Sequence, residues 1–300
     1  MSLIEKAAMK LDEKQSSEEK QDKNKASAEA RNGDREGVNG GNAGLMARAE
    51  TREPLDGERY CQVDFKKLRA KGMLVPENSR SRIQEEFRVI KRPLLMNAEG
   101  RTAGQVDNGN LIMVTSALPG EGKTFNAICL ALSIAAERDK TVLLVDADVI
   151  KPGVSKFFGV ESNRGLVDYL CGEGDINELI FKTNLPNLTL LPAGSPHHLS
   201  TELLASSKMR DLMRELSERY HDRIVIFDSP PMLATTEANV LAGMMGQIAM
   251  IVEAEKTSQK DVKEAVDAMK IHTDIPIGLI LNKATRIRAS KYYSYYYSVN

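Results

Sequence analysis

The chain has 300 residues, of which 42% are hydrophobic and 28% charged, and its 41 basic and 42 acidic side chains leave a net charge of −1. This balance argues against a nucleic-acid binder, which carries an excess of basic residues. No apolar run approaches the ~20 residues of a membrane span, and the N-terminus lacks the apolar core of a signal peptide, so we expect a cytoplasmic protein. Three separated cysteines indicate neither a disulfide framework nor a zinc site. Five of the eight tyrosines lie in the last nine residues.

Residues 1–58 are predicted to form a mostly disordered arm, since they are rich in charge and poor in large apolar side chains. A short amphipathic helix is predicted at the start, where one helical stripe contains Leu3, Ile4, Ala7, Ala8 and Leu11. That helix either has no partner or docks onto another protein or subunit.

Residues 59–106 are predicted to contain a leading helix and an oligomerisation segment. Within them Ile83, Phe87, Ile90 and Leu94 recur at helical spacing and form one stripe. We expect this stripe to lie against the core or against a neighbouring subunit. The polar residues 97–110 then predict a loop.

Residues 107–285 are predicted to form an α/β domain. Its apolar runs are continuous, as in strands that are buried on both faces, and helical segments alternate with them, which indicates a mostly parallel sheet flanked by helices. The predicted strands are 111–116, 141–146, 188–193, 223–228, 247–254 and 277–282, and the predicted helices are 123–138, 165–171, 201–220 and 258–272. Residues 286–300 are predicted to be a flexible, tyrosine-rich tail.

The segment 116–124, SALPGEGKT, lies between a predicted strand and a predicted helix and nearly matches the phosphate-loop pattern GxxxxGK[ST]. Ala117 stands where the pattern has its first glycine, which is harmless if its backbone angle is ordinary. Such a loop surrounds phosphates with backbone N–H groups, while its lysine reaches the β- and γ-phosphates and its threonine can bind Mg²⁺. The candidate nucleotide-binding residues are Pro119, Gly120, Glu121, Gly122, Lys123, Thr124 and Phe125.

Three aspartates end predicted strands: Asp146 and Asp148 follow one, and Asp228 ends another. Parallel strands deliver their carboxyl ends to one edge of the sheet, so these carboxylates are expected to converge on the phosphate loop. Asn282 and Lys283 follow the last strand in a partial NKxD guanine-reading pattern, but Thr285 replaces its carboxylate. We therefore expect adenine, with Asn282 as a candidate base contact.

The tail combines a basic stretch with the tyrosine cluster. No acidic residue follows Leu281, and four basic residues precede the tyrosines. Either the cluster forms an adhesive aromatic patch, or its members accept phosphate; these candidates are Tyr292, Tyr293, Tyr295, Tyr296 and Tyr297. The pair His197 and His198 has no neighbouring ligand and is interpreted as a solvated turn.

Together these motifs resemble the bacterial P-loop tyrosine autokinases of exopolysaccharide assembly. The resemblance covers about residues 60–300 and includes the SxxPGEGK(S/T) loop, the DxD and DSPP strand ends and the terminal tyrosines. The family's ExxRxxR oligomerisation helix resembles Glu85, Arg88 and Lys91. The MSLIEKA opening and the long arm are similar to the subgroup associated with exosortase (XrtA) loci.

The resemblance implies a P-loop NTPase-like fold and transfer of the γ-phosphoryl group of ATP to tail tyrosines, in trans within a ring-like homo-oligomer. It implies that Lys123 stabilises charge, that Thr124, Asp148 and Asp228 hold Mg²⁺, and that Asp146 accepts the tyrosine proton. It also implies that a membrane chain-length determinant protein activates the kinase at the inner face of the plasma membrane, with no role for nucleic acid.

Two other functions stay open at this point. A partitioning-type ATPase would hydrolyse ATP without a tyrosine product, but such ATPases carry a signature lysine at the position of Leu118. A nucleotide-binding scaffold without chemistry is suggested by Ala117 and by Ile150, where the autokinases usually have arginine.

Overall fold

The computed structural model describes residues 58–76, 81–102, 104, 106–160, 164–219, 222–271 and 273–284. These residues contain eight strands and ten helices. The strands are β1 (Tyr60–Cys61), β2 (Leu111–Ser116), β3 (Thr141–Asp146), β4 (Phe181–Thr183), β5 (Leu188–Leu191), β6 (Arg223–Asp228), β7 (Gln247–Glu253) and β8 (Ile277–Asn282). The helices are α1 (Phe65–Ala70), α2 (Arg82–Ala98), α3 (Lys123–Ala135), α4 (Val154–Phe158), α5 (Leu166–Cys171), α6 (Ile176–Leu179), α7 (Ser200–Leu204), α8 (Ser207–Glu218), α9 (Thr236–Ala242) and α10 (Gln259–Lys270).

The strands form one sheet in the order β1-β4-β5-β3-β6-β2-β7-β8. Every neighbouring pair is parallel except β4 and β5, so the predicted α/β fold with a mostly parallel sheet is confirmed. The carboxyl ends of β2, β3, β6, β7 and β8 therefore meet at one edge. That edge contains the residues with predicted chemistry.

Both faces of the sheet are covered, which explains the continuous apolar runs. Successive side chains of a strand point to opposite faces. In β2, Ile112 and Val114 join a cluster with α3, whereas Leu111 and Met113 join a second cluster on the other face with α8, α9 and α10. Each central strand thus needs apolar residues at consecutive positions.

Helix α2 confirms the predicted leading helix and its buried stripe. Ser81 caps its N-terminus in a reciprocal capping box with Gln84. Phe87 and Leu94 are buried in the first cluster, and Ile83 and Ile90 pack against it. The stripe therefore contacts the core of its own chain.

Several element boundaries differ from the sequence prediction. The predicted helix 201–220 is two helices, α7 and α8, because Ser206 accepts a hydrogen bond from Met209 N and starts a new helix. The strand predicted at 188–193 ends at Leu191. Strands β1 and β4 and the short helices α1, α4, α6 and α9 were not predicted. The domain boundaries at 58, 106 and 285 stay predictions, and within the described ranges no helix is long and apolar enough to cross a membrane.

Candidate active site at the phosphate loop

The phosphate loop, residues 117–122, has the backbone shape of an anion cradle. Gly120 and Gly122 have φ angles of +87° and +97°, in the left-handed region that glycine reaches without strain. Ala117 has no positive φ, so the missing glycine costs nothing there. Helix α3 begins directly at Lys123, and the N-terminus of a helix favours a bound anion. Pro119 is exposed on this loop.

Lys123 lies among three carboxylates. Its Nζ is 2.6 Å from Asp148 Oδ2, and the two side chains are only 12% and 5% exposed. Burial disfavours the ammonium charge, but the attraction of Asp228, Asp148 and Asp146 outweighs burial and raises the pKa of Lys123. Lys123 is therefore a firmly charged cation beside the loop.

Asp146 and Asp228 are directly opposite each other in the register of β3 and β6, and both are fully buried. Burial and the neighbouring Asp228 carboxylate raise the pKa of Asp146 to about 8. Burial also raises the pKa of Asp228 to about 6, although Lys123 acts in the opposite direction. Without a further cation, this pair therefore holds a proton at neutral pH.

The oxygens of this pair fit a hard cation. Asp146 Oδ1 and both Asp228 oxygens are buried without a well-formed hydrogen bond to any described residue, although Thr124 lies near enough to lower the pKa of Asp228. A buried oxygen without a donor is costly, and a cation would offset that cost. Mg²⁺ usually takes one or two carboxylates and completes its shell with water and phosphates. Accordingly, the described ranges contain no larger metal-binding group of His, Cys, Asp and Glu.

The turn after β3 engages the remaining carboxylate oxygens. Asp146 Oδ2 accepts hydrogen bonds of 3.0 and 2.9 Å from the two N–H groups at the start of α4. Asp148 Oδ1 accepts one of 2.9 Å from Lys151 N. Since Lys123 binds its other oxygen, Asp148 has both oxygens on protein donors. Ile150, at the usual arginine position, is half exposed.

Asn282, the predicted base contact, binds the phosphate loop. Its Nδ2 donates to Glu121 O at 2.8 Å, and a Cβ built on Gly122 would lie 2.3 Å from that nitrogen. Lys283 Nζ donates to Gly120 O at 2.8 Å. Lys283 is a site residue without a predicted role, although its place beside Asn282 in the partial NKxD pattern is a usable signal.

Known proteins similar to this chain identify its family. The AAA domain family matches residues 109–274. The tyrosine-protein kinase YwqD of Bacillus subtilis is 31% identical over 228 residues, which are 73% of this chain and 95% of YwqD. This chain belongs to the bacterial tyrosine-protein kinase family.

Two further similar proteins show how the length of this chain compares with that of other tyrosine-protein kinases. The kinase domain of VpsO is 29% identical with a TM-score of 0.55, and the match covers 68% of this chain and 100% of that domain. EpsB of Ralstonia nicotianae is 32% identical over 181 residues, 60% of this chain but only 24% of EpsB. The chain thus spans about a quarter of EpsB and nearly all of YwqD.

In the present chain, the three residues predicted for oligomerisation lie in two different environments on α2. Arg88 pairs with Glu85 at 3.0 Å on the exposed side. Lys91 is buried, and its Nζ donates to Ser133 O and pairs with Glu137 Oε1, both at 2.6 Å. Lys91 therefore faces α3 of its own chain.

The remaining predicted residues of this chain lie either outside the phosphate loop or outside the described residues. Phe125 is half buried against the core. His197 and His198 stack with their ring centroids 4.6 Å apart beside the turn that leads into α7, and His198 is exposed. The predicted phosphoacceptors, residues 292–297, and the predicted arm, residues 1–58 except Glu58, lie outside the described residues.

Proposed function

We propose that this chain is an ATP-dependent tyrosine kinase that phosphorylates its own C-terminal cluster, residues 292–297. The observation that carries the proposal is the position of Lys123, which lies at the phosphate loop beside Asp148 and near two buried aspartates with unpartnered oxygens. A phosphate cradle, a fixed cation and carboxylates for Mg²⁺ are the parts that phosphoryl transfer requires. Membership of the tyrosine-protein kinase family supports tyrosine as the acceptor.

The residue roles follow from the contacts. The loop N–H groups and Lys123 bind and orient the phosphates, and Lys123 stabilises charge on the transferred group. Asp146, Asp228 and Thr124 would hold Mg²⁺, which neutralises phosphate charge when bound. Both oxygens of Asp148 accept hydrogen bonds from protein donors. We therefore assign Asp148 to positioning Lys123, and not to the metal-ligand role that is expected from the sequence.

The proton of the attacking tyrosine needs a separate assignment. A free tyrosine has a pKa near 10, so its proton must leave during attack. Asp146 is fully buried, and its Oδ2 already accepts two backbone hydrogen bonds from the start of α4. We therefore assign Asp146 to the metal and not to the proton. A largely dissociative transition state makes little demand on a protein base.

The test is phosphotyrosine detection after incubation of the pure protein with Mg·ATP. Lys123→Met should abolish the signal, whereas Lys260→Met, which removes an exposed lysine from α10, should leave it intact. A wild-type protein that binds or hydrolyses ATP without forming phosphotyrosine would refute the kinase proposal.

We further propose transfer in trans within a ring-like homo-oligomer. From Asn282 to Tyr297 the chain can extend about 50 Å at most, enough to reach a neighbouring site. The test mixes Lys123→Met protein, which keeps its tail, with active protein truncated after Ser290. Phosphotyrosine should form on the inactive chain; its absence, while full-length active protein labels itself, would exclude transfer in trans.

The cellular role follows from the family resemblance of the motifs and arm. We propose that the kinase regulates exopolysaccharide polymerisation or export, that it belongs to the exosortase-associated subgroup, and that a separate membrane chain-length determinant protein activates it at the inner face of the plasma membrane. The activation is tested by measuring kinase activity with and without the cytoplasmic segment of that partner. Equal rates would contradict the proposed activation.

A further inference from the structure

Three segments that are distant in the sequence meet behind the phosphate loop. They are the loop itself, the connection after β7 and the end of β8. We call their contacting residues the loop clamp, which consists of Glu121, Glu253, Thr257, Asn282 and Lys283. None of these side chains has an assigned role in the phosphoryl-transfer chemistry above.

Two clamp residues hold consecutive carbonyl groups of the loop. Lys283 Nζ donates to Gly120 O, and Asn282 Nδ2 donates to Glu121 O, both at 2.8 Å. In a planar trans peptide the C=O and the following N–H point in opposite directions. Fixing the carbonyls of residues 120 and 121 on the β8 side therefore turns the N–H groups of residues 121 and 122 to the other side of the loop.

The Glu121 side chain fixes the same loop from a second direction. It is only 2% exposed. Its Oε2 accepts from Leu118 N at 2.7 Å, and its Oε1 accepts from Thr257 Oγ1 and from Glu253 N. The carboxylate therefore joins the start of the loop to the connection between β7 and α10.

The backbone at β8 is shaped for this contact. Lys283 has φ +57°, a conformation that a non-glycine residue adopts rarely. Its ammonium also lies 3.1 Å from Glu253 Oε2, so the clamp closes on itself through an ion pair. An uncommon backbone angle held by two side-chain contacts points to a positioning role.

We propose that Asn282 and Lys283 are positioning residues that set the phosphate loop for the β- and γ-phosphates of the nucleotide by holding its carbonyls, without reading the base. The proposal rests on the proposed function only in that the loop binds nucleotide phosphates. It replaces the base contact expected for Asn282.

The structure offers a matched control for Lys283. Lys256 Nζ lies at the same 3.1 Å from the same Glu253 oxygen and is also exposed, but among the described residues it makes no hydrogen bond or ion pair to the loop. Lys283→Met and Lys256→Met thus each remove one positive charge and one ion pair to the same Glu253 oxygen. Only the first removes a hydrogen bond to the loop, and methionine retains the apolar stem.

The experiment measures the affinity of the full chain for a fluorescent ADP with Mg²⁺ and its displacement by inorganic tripolyphosphate, which has no base. Lys283→Met should weaken both ligands by about three- to tenfold, as expected for a partly exposed charged hydrogen bond. Lys256→Met should change neither. Asn282→Asp, which replaces the donor amide with a repelling oxygen, should weaken both at least as much, and Lys283→Arg should restore much of the binding.

Each alternative outcome is distinct. Loss of ADP affinity with unchanged tripolyphosphate affinity would mean that Lys283 contacts the base, and the proposal would be wrong. Equal affinities of the two methionine variants would also overturn it. If the wild-type chain binds neither ligand, the proposed function fails as well. Thermal melting of each variant reports folding, and Asn282→Asp provides an independent test should Lys283→Met melt early.

Discussion

Replacing Lys91 by methionine separates an intramolecular role from a role between subunits. Methionine keeps most of the apolar stem and removes only the ammonium. That ammonium donates to Ser133 O and pairs with Glu137, both at 2.6 Å, at the C-terminal end of α3. A cation there also interacts favourably with the helix dipole. We therefore expect the monomer itself to lose stability.

The free energy of unfolding should fall by about 1–2 kcal/mol. A hydrogen bond from a charged donor contributes about 1.5–3 kcal/mol. The pair with Glu137 adds little because that side chain is 46% exposed, and methionine regains part of the loss by burying apolar surface. With a urea m value of about 3 kcal/mol per molar, the midpoint of unfolding should drop by about 0.5 M.

The assay is urea unfolding at a concentration where the wild type is monomeric, together with oligomer mass by light scattering. Arg88→Met is the control, because its pair with Glu85 is exposed and is expected to contribute only about 0.3 kcal/mol. An unchanged midpoint for Lys91→Met, combined with a loss of oligomer mass, would refute the intramolecular role and restore the oligomerisation role.

Three further predictions follow from the site and the tail. Metal-free protein should lose stability as the pH rises from about 5 to about 8. The pKa values of Asp146 and Asp228 are raised to about 8 and about 6, so the folded state binds more protons than the unfolded state in that interval. Asp228→Asn should flatten this slope in thermal melts, and a pH-independent melting temperature for the wild type would contradict the argument. Gly122→Ala should weaken Mg·ADP binding more than Gly120→Ala, because a Cβ at Gly122 would also lie 2.3 Å from Asn282 Nδ2. Equal dissociation constants for the two variants would show that the positive φ alone accounts for the loss of binding. Phosphorylation of residues 292–297 should lower the oligomer mass, because each phosphotyrosine adds about −1.5 to −2 charges after a stretch with four basic residues; light scattering with an unchanged mass after ATP treatment would dismiss this switch.

The central strands were predictable because burial on both faces leaves an unbroken apolar run. The observed bounds of β2, β3, β6 and β8 match the predicted ones. Strand β4 has three residues and β1 has two. Such segments are too short for a periodic signal, and their pairing depends on tertiary contacts. The division between α7 and α8 was missed because Ser206 interrupts an otherwise continuous helical pattern.

The site was predictable where strand ends decide it and not where long-range packing does. Asp146 and Asp228 follow from the topology of parallel strands. The contact between Lys283 and Gly120 joins residues 163 positions apart, and no local pattern encodes it. The inward direction of Lys91 had a local signal, since it lies four residues after buried Phe87 and three before buried Leu94.

The sheet places the phosphate loop and the two clamp residues at the end of β8, Asn282 and Lys283, at different depths. Strand β2, which leads into the loop, lies between β6 and β7, whereas β8 lies at the edge of the sheet. Leu279 and Leu281 of β8 are 58% and 57% exposed, so substitutions there disturb little packing. Substitutions in this edge strand can therefore change how the phosphate loop is held, while the central strand on which the fold depends stays unchanged.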